Sequence, residues 1–212
     1  MRQLTLISIV LLVAAGVVMS VDERVADAVS GFAGTSYTLH QVMSAINEIF
    51  GWWLFIAIGV AVLLDRDRIR RFVSLGVAAA ACGGAVQLVK IIAGRARPDA
   101  DIAAGSFTLF GGLGEKMDSF PSGHTAAAWF AALLLEQYFP GSIWFFGPAA
   151  AIASISRVAF SRHFLSDVIV GFLFVFVITR LLFRIRSLNF RPLYTRAGAA
   201  SDTSNEAAAQ VD

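Results

Sequence analysis

DRDRIRRFVSLGVAAAACGGAVQLVKIIAGRARP, residues 65–98, is the stretch that decides the fold. It opens with four arginines between Asp65 and Arg71, continues through an apolar segment at 72–93, and closes on Arg97 and Pro98. A bilayer core about 30 Å thick takes roughly 20 apolar residues as a helix, so this segment is long enough to cross one. By the positive-inside rule the arginines mark its cytoplasmic end. Lys90 lies near the far end, where a charge is costly unless it serves a function.

The rest of the chain repeats that pattern. Of its 212 residues 57% are apolar and only 15% charged, with a mean hydropathy of +0.71. Soluble domains carry roughly 25% charge. Further apolar runs at about 4–21, 46–64, 123–139, 143–160 and 165–183 bring the expected spans to six. Arg2 precedes the first, and Arg180, Arg184, Arg186, Arg191 and Arg196 flank the last. Six spans put both termini in the cytoplasm, and the arginine bias agrees. Loops 22–45, 94–122 and 161–164 then face outward. The first run also has signal-peptide features, Arg2 before it and Ala26-Asp27-Ala28 after it. Leu39, Val42, Met43, Ile46 and Phe50 recur at helical spacing, leading to Trp52 and Trp53 at headgroup depth. The expectation is therefore an all-α, polytopic membrane bundle of six transmembrane helices, with an outer interfacial helix between helices 1 and 2. The membrane domain covers 1–196, with a motif core at 72–183, and 197–212 reads as a disordered cytoplasmic tail. The single cysteine, Cys82, excludes an intrachain disulfide and reads as a small packing residue. The net charge of +2 and pI near 9.0 come from membrane-flanking arginines, not a basic stripe with aromatics, which argues against nucleic acid as a partner.

Three motifs depart from the apolar background: Lys90-x6-Arg97-Pro98, Pro121-Ser122-Gly123-His124, and Ser156-Arg157-x5-His163-x3-Asp167. The topology brings all three to the outer ends of their spans. A dianionic phosphate needs several donors, and Lys90, Arg97 and Arg157 can surround it. Ser122 can donate its hydroxyl, while Gly123 lets a backbone N–H approach at a helix start. His163 and Asp167 are i and i+4 on one helix face. A carboxylate accepting from one imidazole nitrogen fixes the tautomer and frees the other to attack phosphorus. His124 can protonate the leaving alkoxide and later activate water. Cations at the equatorial oxygens stabilise the developing charge, so neither metal nor cofactor is expected. Arg95 and Arg162 fall outside this pattern and read as headgroup contacts or plain surface charge.

The three motifs resemble, position for position, the signature of the type 2 phosphatidic acid phosphatase superfamily. That family includes bacterial lipid phosphatases and, more distantly, vanadium haloperoxidases and acid phosphatases. The resemblance implies a six-helix, metal-independent membrane enzyme with Lys90, Arg97, Ser122, Gly123 and Arg157 holding phosphate. It further implies His163 as nucleophile, Asp167 as its partner and His124 as the acid. The expected activity is hydrolysis of a lipid phosphate at the outer face of a bacterial inner membrane. Phosphatidic acid, phosphatidylglycerol phosphate, polyprenyl diphosphate and lipid A phosphates all fit, and oligomeric state is left open. Transfer of the phosphoryl group to another lipid is the second enzymatic reading. A non-catalytic anion transporter predicts charges along a whole crossing path, whereas here they gather at one end, with Glu136 toward the other. The loop Asp99–Met117, carrying Phe107, Leu109 and Phe110, is the expected specificity element.

Overall fold

A computed structural model describes residues 16–34, 67–100 and 103–193, with isolated positions elsewhere in the first 63 residues. Every described element is helical: α1 (Asp22–Gly34), α2 (Arg68–Ala93), α3 (Gly123–Tyr138), α4 (Ile143–Ala159) and α5 (Leu165–Leu182). A single isolated β-bridge, Arg95 to Phe107, accompanies them among the described residues. The helices fall on four of the expected spans, with α2 beginning four residues early because its arginines continue the helix. α2 and α5 are long and apolar enough to cross a membrane, at about 39 and 27 Å; α4 is apolar but shorter. The first two expected spans, the proposed interfacial helix and the tail lie largely or wholly outside the described residues. The loop expected at 22–45 instead begins with α1, a helix whose Asp22 is buried.

α3 packs against both α4 and α5, and α2 closes the other side of α3. Cys82 and Val86 of α2 meet Ala126 and Leu133 of α3 and Val175 of α5 in one core cluster. An exposed side of α2 is apolar instead of charged: Phe72, Val73, Val77 and Leu88 are all exposed. Such a continuous apolar surface suits hydrocarbon, not water.

The two ends of the bundle differ in chemistry. At one end the segment after α5 folds back on α2 and α3. Arg70 donates to the Arg186 and Ser187 carbonyls, Gln137 donates to the Phe190 carbonyl, and Leu193 N–H reaches the Tyr138 carbonyl. Arg71 is buried there with its guanidinium 4.3 Å from the Tyr138 ring centroid. The arginine cluster before α2 and the one after α5 therefore share an end, as the charge bias requires. Glu136, at that same end, accepts from the Gly141 and Ile143 N–H groups, so it caps the α3–α4 turn and lines no crossing path. At the opposite end the three motifs meet.

Candidate active site

Each expected site residue stands at a helix terminus or in a turn beside one. Lys90 is in the last turn of α2 and Arg157 in the last turn of α4. Ser122 is the N-cap of α3, its hydroxyl oxygen accepting from Thr125 N–H, with Gly123 and His124 as the first two helical residues. His163 lies in the turn between α4 and α5, whose first turn carries Asp167.

The loop after α2 is fixed by close backbone contact. Gly94 adopts φ +49°, ends α2 in a left-handed turn, and would carry a Cβ 2.2 Å from the Thr108 carbonyl oxygen. At Gly112 a Cβ would sit 1.9 Å from the Lys90 carbonyl oxygen, so only glycine fits where the loop folds back over α2. Backbone hydrogen bonds from Ala96 to Ser106, Thr108 to Gly94 and Ser119 to the Arg95 carbonyl complete the brace. On the far side Gly171 of α5 approaches so closely that a Cβ would lie 2.6 Å from the Ser122 carbonyl oxygen. Ser122 N–H in turn donates to the Asp167 carbonyl, at 3.0 Å. The serine turn is thereby locked onto the start of α5.

His163 is buried, and its Nδ1 lies 2.8 Å from the Ser119 carbonyl oxygen. Since a carbonyl only accepts, Nδ1 carries the proton and Nε2 keeps its lone pair. The hydrogen bond expected between His163 and Asp167 is absent: the nearest carboxylate oxygen is 3.9 Å from Nδ1. Asp167 instead accepts from Ser119 Oγ at 2.6 Å, from Phe164 N–H at 2.8 Å and from Arg95 Nη1 at 2.6 Å. Ser119 thus bridges the two, its hydroxyl on Asp167 and its carbonyl on the imidazole. Burial first, and the charge of Lys90 next, push the His163 imidazole down to about 3, so it is neutral near pH 7. The charges of Lys90, Arg157 and Arg97 all reach this ring, although they come from three different elements.

Arg95 is not surface charge. It is 3% exposed, held between the Phe164 and Phe107 rings with its guanidinium 4.3 and 5.0 Å from their centroids. It donates to Asp167, Ser166, Asp22 and the Gly105 carbonyl. Asp22 of α1 closes the network by accepting from Ser166 N–H and Oγ. Two buried carboxylates thus share one buried arginine, a pattern that no local spacing reveals because Asp22 and Asp167 are far apart in the chain. Arg162 does prove to be an exposed charge, 3.2 Å from Asp99.

Asp118 is a further carboxylate to which the sequence motifs assign no role. Its carboxylate takes both forks of Arg97, Oδ1 from Nε at 2.7 Å and Oδ2 from Nη2 at 2.8 Å. Lys90 Nζ donates to the Asp118 carbonyl and lies 3.4 Å from Oδ2. Burial works to raise this carboxyl, but the Arg97 hydrogen bonds and the Lys90 charge outweigh it and hold Asp118 below the usual carboxylate range. Arg157, by contrast, has a buried Nε with no hydrogen-bond partner among the described residues. A buried guanidinium donor left open is costly and calls for an anion.

Lys90, Gly123 and His124 also form the polar end of an apolar cavity of about 510 Å³ between α2 and α3. From Lys90 its α2 wall runs down Gln87, Val86, Gly83 and Ala79, about 16 Å along the helix axis. No group lies within 4 Å of where a Cβ on Gly83 would be, so the small residues of α2 leave space open instead of packing tightly.

A lipid A 1-phosphatase from Porphyromonas gingivalis is 33% identical over 126 residues, covering 58% of this chain and 25% of the relative. A lipid A 1-phosphatase from Rhizobium etli is 43% identical over 91 residues, 41% of this chain and 38% of the relative. The matches therefore span well under half the length of either relative. In fold the chain is similar to the crystal structure of a transmembrane PAP2 type phosphatidylglycerolphosphate phosphatase from Bacillus subtilis, with a TM-score of 0.54 at 23% identity over 87% of this chain and 96% of that one. The sequence model of the PAP2 superfamily matches residues 71–191, from the start of α2 to the segment folded back beneath it, and with all three motifs inside that range the chain belongs to this superfamily.

Proposed function

We propose that this protein is a membrane lipid phosphatase that removes a phosphate from a lipid at the outer leaflet through a phosphohistidine. The observation that carries the reading is that the charges of Lys90, Arg97 and Arg157 converge on His163 and His124, with Lys90 and His124 at the polar end of an apolar cavity. A lipid tail lies along the α2–α3 cavity while its headgroup reaches Lys90 and His124. Lys90, Arg97, Arg157 and the Ser122–Gly123 helix start hold the phosphoryl oxygens. Nε2 of neutral His163 attacks phosphorus, and the bond to the lipid oxygen breaks as His124 gives that oxygen a proton. The proton stays on Nδ1, donated in a hydrogen bond to the Ser119 carbonyl, which stabilises the imidazolium character of the phosphohistidine. His124, now neutral, takes a proton from water as it attacks phosphorus, and phosphate leaves with His163 restored.

Six spans, with the arginine-rich end in the cytoplasm and the site on the periplasmic face of an inner membrane, complete the proposal. The two relatives named lipid A 1-phosphatases put a glycosyl phosphate first among substrates. Phosphatidic acid, phosphatidylglycerol phosphate and polyprenyl diphosphate share its essential chemistry, a phosphate on a long apolar tail. The test is phosphate release by purified protein from a panel of these lipids in EDTA. Release from at least one, inhibited by vanadate, is expected; activity lost to EDTA and restored by magnesium would show the chemistry to be misassigned.

A further inference from the structure

We infer that Asp118 is a built-in stand-in for the substrate phosphate, an internal anion that occupies the cation cage between turnovers and is displaced when phosphate binds. The inference rests on the phosphatase reading above and names a control on that same site.

Three observations carry it. The carboxylate binds Arg97 through two parallel hydrogen bonds, the geometry in which guanidinium also takes a phosphate. It shares Lys90, so the two cations of the first motif converge on one anion. Its tethers are also few. Among the described residues the carboxylate bonds only these two cations, and its side chain is 34% exposed. The backbone around it is held independently, by Ser119 N–H on the Arg95 carbonyl and Arg97 N–H on the Lys116 carbonyl. The side chain can therefore swing away without unfolding the loop.

Charge counting gives the arrangement a purpose. Lys90, Arg97 and Arg157 bring three positive charges, and a phosphate monoester dianion brings two negative ones. Without a resident carboxylate the cage would hold free phosphate tightly and release it slowly. Asp118 competes with the dianion for Arg97 and Lys90 and refills them as product leaves. Arg157, whose Nε has no hydrogen-bond partner among the described residues, is left as the cation that first meets an incoming phosphate. Asp118 thus trades affinity for turnover.

The alternative is that Asp118 only orients Arg97 and stays in place throughout. The two ideas predict opposite signs. On the stand-in account, Asp118→Asn lowers the inhibition constants for vanadate and inorganic phosphate by about tenfold or more, because one competing charge has gone. The KM for lipid phosphate falls with them, and kcat falls as phosphate release slows. Asp118→Glu, which keeps the competing charge, stays within about threefold of wild type in vanadate affinity. Vanadate affinity unchanged or weakened in Asp118→Asn would overturn the inference. Should that variant fail to yield folded protein, Asp118→Ser carries the same prediction and the same risk. Wild-type protein that neither binds vanadate nor releases phosphate from any lipid phosphate would instead refute the phosphatase reading, a result distinguishable from failure of the Asp118 account alone.

Discussion

Asp167 is bound by the Ser119 hydroxyl, the Phe164 amide and Arg95, while His163 leans on the Ser119 carbonyl. The i, i+4 spacing placed the histidine and the carboxylate on neighbouring turns, but it had no means of showing that a serine from another loop comes between them. Burial has a consequence for pH. The unfolded chain takes up a proton at His163 near 6.5, while the folded chain resists until about 3. Stability from this group is therefore full above pH 6.5 and is lost as the pH falls toward 3. Histidine NMR of the phosphate-free protein should find one imidazole still neutral at pH 5, and His163→Gln should remove that resonance. It should also flatten the loss of stability between pH 6.5 and 5. A His163 that titrates near 6.5 would contradict its buried, neutral state. Arg95 offers a second test at this scale. Arg95→Gln strands two buried carboxylates and should cost about 3–5 kcal/mol. In a thermal-unfolding cycle with Asp22→Asn, the coupling should exceed about 1 kcal/mol; additive losses would mean that the three-way network does not act as a unit.

Among the elements, the helices were the most legible because length and apolarity alone locate a span. α3, α4 and α5 begin where the polar interruptions end, and each terminus lies within a residue or two of its expected position. α1 was missed because Asp22, Glu23 and Asp27 make its sequence look like a polar loop, whereas the structure uses Asp22 as a buried partner for Arg95. The loop of residues 94–122 was recognised as joining two site motifs, but its backbone brace was invisible: glycine-rich sequence reads as flexibility, and here two glycines mark tight contact. Gly112→Ala should therefore destabilise the protein by about 2 kcal/mol or more, with a loss of activity, since its Cβ would meet backbone instead of a movable side chain. Gly83→Ala, facing open space, should change stability by less than about 0.5 kcal/mol while narrowing the proposed tail channel. Equal stability losses at the two positions would contradict the assigned packing.

For the molecule as a whole, the separation of ends is the organising feature. Arg70 and the carbonyls of 186–187 close one end, and the three motifs occupy the other. On the proposed orientation, insertion follows the arginines and directs the chemistry to the opposite side. In a Cys82-free background, an impermeant thiol reagent applied to intact cells should label a cysteine at position 116 and spare one at position 70. The reverse would move the site to the cytoplasm and change the substrate pool. Sequence alone carried this polarity, since charge bias is a property of composition; it did not carry the contacts of Asp22, Arg95 and Asp118, which depend on loops meeting in space. The central claim is that His163 takes the phosphoryl group, and rapid quenching tests it most directly. Protein mixed with a radiolabelled lipid phosphate, stopped in alkali and digested, should yield label on the peptide containing His163, acid-labile and absent from His163→Ala. Label on a different residue, or product formed at full rate by His163→Ala, would contradict the account.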